Sequence, residues 1–426
     1  MPAPRQSKTD PGSFDGSKLE KLAKLFREES VEQALALTKA GPTPRAQQPK
    51  ITIKRFTVNQ ARVAVSPDCS YRLLTEALQS AKRSLTVYVY NISASYLVAI
   101  LKAKQAAGVK VRVMVDSTDP NDARSEEFAK LLKAGLDVRE APSIGARRAF
   151  SVCHQKYVVI DGKTLVLQSA NWAGTAIAEA RKVGEYKPGN REWLIRIDDA
   201  AVAAWFEDLF QKDWDIPAVP LPKAMAEPMP LQLPPSWMSA DAFTPPSKLF
   251  DILSATKPVG LLPLISPVNY LPELSKALKN AKRRICIQQQ YITAGNGVNE
   301  LLEIVHAKAS QCDVRIIVSP KFPPAWDQSE KTLRAAGLIG MLRAQNLTHV
   351  IHCHNKGVII DDDQVVVSST NWSENSITRA REAGLLVRSK ELTGYFSGVF
   401  DLDWAEGLSP AQLKARTVVV SAAEMV

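Results

Sequence analysis

Two short apolar runs flank a turn and predict a β-hairpin. Tyr157 to Ile160 is β-branched and aromatic, Asp161-Gly162 is a turn signal, and Leu165 to Gln168 is apolar again. Pairing Ile160 with Leu165 and counting outward sets Lys156 opposite Ser169 and His154 opposite Asn171. Strand side chains alternate with a period of two, so this register puts all four on one face. The same pattern returns 200 residues later, with Lys356 opposite Ser369 and His354 opposite Asn371.

The repetition extends well beyond the hairpins. Ser66-Pro67 with Tyr71 matches Ser266-Pro267 with Tyr270. Ala81-Lys82-Arg83 and the apolar run to Tyr90 match Ala281-Lys282-Arg283 and the run to Tyr291. Val111-Arg112-Val113 matches Val314-Arg315-Ile316, Arg191-Glu192 matches Arg381-Glu382, and Phe210 to Trp214 matches Phe400 to Trp404. The chain therefore reads as two copies of one α/β domain. Each is expected to run strand, helix, strand, helix, motif hairpin, final strand and helix. The expected boundaries are an N-terminal polar and helical extension (1–50), domain 1 (51–215), a linker (216–250), domain 2 (251–408) and a tail (409–426). The linker is read from nine prolines between Ile216 and Ser247. In the extension, Leu19, Leu22, Leu25, Phe26 and Leu35 form a helical stripe.

Composition changes this picture only a little. With 426 residues the chain is long enough for two cores, and 23% charged with 45% hydrophobic residues is ordinary for a globular protein. The net charge of +10 suits an anionic substrate or surface without separating lipid from nucleic acid. No stretch approaches the roughly 18 apolar residues of a membrane span. The first ten residues lack the apolar core of a signal peptide. Five cysteines without a Cys-x-x-Cys pair argue for a reducing compartment. The expectation is a monomer in the cytoplasm, with peripheral contact to an anionic membrane.

The repeated residues suit one kind of chemistry. A phosphodiester repels nucleophiles, so an enzyme must neutralise its charge, attack phosphorus and protonate the leaving oxygen. Lys156 and Lys356 are cationic donors for its oxygens, and Asn171 and Asn371 are neutral ones. One histidine can attack, and the other can act as acid and base. Each motif holds one of them, so the halves must face each other. Asp161 and Asp361 read as turn-capping residues, and Ser169 and Ser369 as supporting hydrogen-bonders. His349, His352 and His354 crowd one strand without carboxylates at ligand spacing, so neither a metal nor a cofactor is expected. Trp172 and Trp372 read as core residues rather than base-stacking ones.

The repeated pattern resembles the phospholipase D superfamily signature His-x-Lys-x4-Asp-x6-Gly-Ser-x-Asn. Gln168 and Ser368 replace its Gly. The resemblance implies two pseudo-twofold-related α/β domains, each a mixed β-sheet flanked by helices, with one active site between them. It also implies His154 as nucleophile, His354 as acid and base, and a downstream Glu orienting a histidine. Glu382 stands eleven residues after Asn371, as that pattern asks. Glu192 stands twenty-one after Asn171, which implies an insertion around Tyr186 to Gly189 and leaves Glu179 and Glu185 as alternatives. The implied activity is hydrolysis or headgroup transfer on glycerophospholipids. A metal-independent nuclease and a non-catalytic binder of anionic lipid or nucleic acid are the alternatives.

Overall fold

The computed structural model describes residues 47–116, 130–143, 148–216 and 243–415. The predicted N-terminal stripe, most of the proline-rich segment and the end of the tail lie outside the described residues. Each half of the chain builds an eight-stranded mixed sheet with the same strand order. In the first half the strands are, edge to edge, Asp137–Glu140, Lys110–Val115, Ser84–Val89, Lys156–Ile160, Thr164–Gln168, Glu192–Asp198, Ala61–Ser66 and Leu253–Ser254. The first three are parallel and the rest pair antiparallel. The second half repeats this order from Leu342–Ala344 through Asp313–Val318, Arg284–Gln289, Lys356–Ile360, Gln364–Ser368, Glu382–Arg388 and Val259–Ser266 to Phe56–Val58.

Three features differ from the sequence expectation. The predicted order omits the parallel strands Lys110–Val115 and Asp137–Glu140 and their counterparts. Asp137–Glu140 and Leu342–Ala344 are only four and three residues long, too short for alternation to be read from the sequence. The halves also exchange edges. Phe56–Val58 pairs with Val259 to Leu261 of the second sheet, and Leu253–Ser254 pairs with Arg62 and Val63 of the first. Each sheet thus has one edge covered by the other half's flanking segment.

The hairpin register is one residue tighter than predicted. Ile160 pairs with Thr164 and Tyr157 with Leu167, and Ile360 pairs with Gln364. The turn decides this. Asp161 and Gly162 both adopt left-handed backbone, at φ 55° and 63°, and close a three-residue connection. The Asp161 carboxylate then accepts the amides of Lys82, Arg83 and Ser84, at 2.7 Å for Arg83. Asp361 does the same for Lys282, Arg283 and Arg284. Each motif aspartate is therefore a clamp between its hairpin and the neighbouring strand.

Helices cap the sheets where their ends are specified locally. Asp199 accepts the amides of Ala201 and Val202 and opens helix Ala200–Trp214. Ser389 accepts from Leu392 and opens helix Lys390–Glu406. These two helices bury Phe206, Leu209, Phe210, Leu392, Phe396 and Phe400 in one core that also takes Trp193, Ile265 and Val387 from both sheets. Separate cores lie on the outer side of each half. Because the central core is shared, the two sheets hold each other in place.

Candidate active site

The two motif segments meet across the interface through reciprocal backbone bonds. The Arg381 amide donates to the Val152 carbonyl at 2.8 Å, and the His154 amide donates to the Arg381 carbonyl at 2.8 Å. In the mirror set, Arg191 donates to His352 at 2.8 Å and His354 donates to Arg191 at 3.2 Å. Such a reciprocal pattern is what twofold symmetry produces. It delivers His154, Lys156, His354 and Lys356 to one buried place where their charges act on one another, and Asn171 and Asn371 are buried as well.

Each histidine is held by the other half's glutamate. His154 Nδ1 lies 2.9 Å from Glu382 Oε2 and 3.1 Å from the Ser369 carbonyl. A carbonyl can only accept, so the network assigns the proton to Nδ1 and leaves the Nε2 lone pair bare. His354 Nδ1 lies 2.6 Å from Glu192 Oε1. Ser369 donates to Glu382 at 2.6 Å, and Ser169 donates to Glu192. Glu192 thus occupies the position expected of it despite the insertion. Glu179 pairs with Arg181 at the surface, and Glu185 accepts the Arg181 and Lys182 amides. Beyond the paired residues the predicted register does not continue: His154 meets Ser369 and Glu382 of the other half, while Ser169 bonds Glu192 of its own half, whose carboxylate reaches His354.

The site is dry, and that governs its charges. Burial pulls the His154 imidazole well below its ordinary value, and Lys156, Lys356 and His354 add to the effect. Burial also lowers the Lys156 ammonium, against the pull of Glu382. It raises Glu192 to about 7 and Glu382 to about 8, with nearby lysines opposing. Lys156 Nζ donates to the His154 carbonyl at 2.7 Å and lies 5.3 Å from the Tyr90 ring centroid. Tyr90 also packs edge-on against His154 at 4.8 Å. Lys356 makes the matching bond to the His354 carbonyl.

Several buried polar atoms here have no hydrogen-bond partner among the described residues. They are His154 Nε2 and both ends of the Asn171 and Asn371 amides. A buried group left unpaired costs roughly 1–3 kcal/mol, so a ligand that bonded these atoms would offset that cost.

Sequence reasoning passed over the charged struts beneath the site. Arg381 donates to both oxygens of Asp213, at 2.6 and 2.9 Å, across the interface. Arg191 donates to Asp403 at 2.9 and 3.1 Å and to Asp68 at 3.0 Å. Their signal was present as the repeated Arg-Glu and Asp-Trp dipeptides. Trp172 and Trp372 are fully buried in the outer cores, as expected of core residues. His349 lies away from the motif, bonded to the Thr244 carbonyl at 2.8 Å.

Two facing half-sites on duplicated sheets define a class of protein. A family model described as cardiolipin synthase, PLD-like domain, matches residues 74–214 and again 274–404, more than half the chain. The chain belongs to this phospholipase D-like family. It is 27% identical over 148 residues to mouse mitochondrial cardiolipin hydrolase, a match covering 35% of this chain and 59% of that protein. It is 27% identical over 172 residues to a phospholipase D of Rickettsia bellii, covering 39% of this chain and 75% of that one. The chain therefore spans little more than half the length of the mouse relative. Among solved structures, phosphatidylserine synthase of Haemophilus influenzae shares the fold, with a TM-score of 0.56 at 14% identity over 88% of this chain and 90% of that one. Among the described residues no helix is long and apolar enough to cross a membrane.

Proposed function

We propose that this chain is a phospholipase D-type phosphodiesterase that hydrolyses glycerophospholipids, or transfers their phosphatidyl group, through a phosphohistidine on His154. The observation that carries this reading is the unpartnered, buried Nε2 of His154, with Lys156, Lys356 and His354 close enough for their charges to act on it. In this scheme Nε2 attacks phosphorus, and Nδ1–H stays on Glu382 and the Ser369 carbonyl. Lys156, Lys356, Asn171 and Asn371 hold the phosphoryl oxygens as charge develops on them. His354, set by Glu192, protonates the leaving alkoxide and then takes a proton from water or an acceptor alcohol. Ser169 and Ser369 support the glutamates, and Asp161 and Asp361 support the hairpins. No step calls for a metal ion, because the lysines supply the positive charge.

The lipid reading draws on relatives named as cardiolipin hydrolase and phospholipase D, and on the +10 net charge. It includes a cytoplasmic monomer that touches an anionic membrane peripherally. The test is a side-by-side turnover assay on mixed anionic vesicles and on single- and double-stranded oligonucleotides, with and without a chelator. Headgroup release that survives the chelator is expected. Efficient cutting of oligonucleotides with untouched phospholipid would replace the lipid reading by a nuclease.

The dry site also sets a pH dependence. His154 gains its proton only well below the ordinary imidazole value of about 6.5, so Nε2 remains nucleophilic as pH falls past that point. The acid limb of kcat/KM on a soluble diester is expected below pH ~6.5. Glu192 and Glu382, raised to about 7 and about 8, would give a limb in their own range, so the check is direct: a ¹⁵N titration of His154 at or above pH ~6.5 contradicts its assigned state.

A further inference from the structure

The two half-sites are not equivalent, and the difference is a third imidazole. His352 stands two residues before His354, in the segment that leads into strand Lys356–Ile360. Its ring centroid is 5.7 Å from that of His354. The counterpart in the first half is Val152, which makes the same backbone bridge to the facing arginine. The fold therefore needs no polar group at this position.

His352 is fully buried and satisfied at one nitrogen only. Ser319 Oγ lies 2.6 Å from its Nδ1 and accepts the Lys321 amide at 3.4 Å. The Ser319 hydroxyl meets no other acceptor among the described residues, so the arrangement that satisfies it gives its hydrogen to Nδ1 and puts the ring proton on Nε2. That Nε2 has no hydrogen-bond partner among the described residues. Phe322 packs edge-on against the ring at 5.3 Å and holds its orientation. Burial, with the positive charge of Lys321, His354 and Lys356, keeps the imidazole neutral. An unmatched, buried N–H with this support, on a ring 5.7 Å from that of His354 and in one half only, has the properties of a ligand contact.

The geometry points to His352, the third imidazole, as a one-sided hydrogen-bond donor to the substrate phosphoryl group. It deepens the phosphodiesterase reading and rests on the same site. Its consequence is direction. Two pseudo-symmetric histidines alone would accept a phosphodiester in either orientation, whereas an added donor beside His354 makes the two ester substituents inequivalent. His352 then helps determine which alcohol faces His354 as leaving group.

The test uses inorganic phosphate and the full chain labelled with ¹⁵N-histidine. Phosphate should shift the His352 Nε2 resonance in the native protein. His352→Val, which installs the first half's residue, should weaken phosphate binding by about tenfold or more, as for a lost hydrogen bond to a charged group. His352→Gln, whose amide nitrogen can reach the place of Nε2, should retain most of the affinity. A folded His352→Val with native phosphate affinity, or a static His352 signal on saturation, overturns the proposal. Should His352→Val fail to fold, the native titration decides. Phosphate binding with the His352 shift but no diester turnover would refute the catalytic reading and leave this contact standing. Turnover with no His352 response would do the reverse.

Discussion

Replacing His154 by Asn is expected to lower turnover by about 10⁴-fold or more and to leave no covalent phosphoenzyme. Asn keeps a polar group of similar size but cannot attack phosphorus. The loss should be separable from misfolding, because the His154 amide bond to Arg381 does not depend on the side chain. His354→Asn should behave differently. Attack survives in that variant while proton transfer fails, a loss of about 10²–10⁴-fold, and the intermediate should accumulate. Acid-quenched labelling with a radioactive phosphodiester distinguishes the two. Label held by the His154 variant and absent from the His354 variant would exchange their roles.

The largest stability effect is expected away from the chemistry. Asp213→Ala removes both acceptors of the Arg381 guanidinium, and the pair is completely buried. Breaking such a pair from one side costs about 3–5 kcal/mol, since the remaining charge stays buried without compensation. Asp213 also accepts from Tyr88 and Gln155, each at 3.3 Å, so its removal leaves further groups unpaired. The pseudo-symmetric change Asp403→Ala should cost less, because Arg191 keeps Asp68 at 3.0 Å. Denaturant unfolding of the two variants measures the contrast. Replacing Asp213 and Arg381 together by apolar residues should recover much of the loss. Arg381 directly precedes Glu382, so Asp213→Ala should also slow catalysis through a loosened His154. Equal losses in the two aspartate variants would show that the struts do not work as drawn.

Much of the site was legible in the sequence because duplication writes the same chemistry twice. The equal offset of His, Lys, Asp, Ser and Asn pointed to two facing half-sites, and the runs around Asp161 and Asp361 announced hairpins. The register was not legible, because it turns on a left-handed Asp161 clamped to the amides of a strand some 78 residues away. The orienting glutamate of the first half stayed ambiguous among Glu179, Glu185 and Glu192 for a related reason. Spacing counts residues along the chain, and the insertion loops out without moving the strand that carries Glu192.

By itself, then, the sequence determined the duplication, the residues able to handle a phosphodiester and the two hairpins that they flank. Only the tertiary structure decided that each glutamate serves the other half's histidine, that edge strands are exchanged, and that Arg191 and Arg381 brace the interface. The physical reason is range. Alternation and turn chemistry act between neighbours in the chain, whereas a buried carboxylate, imidazole or guanidinium is satisfied by whatever partner the packed core brings to it, here from more than 150 residues away.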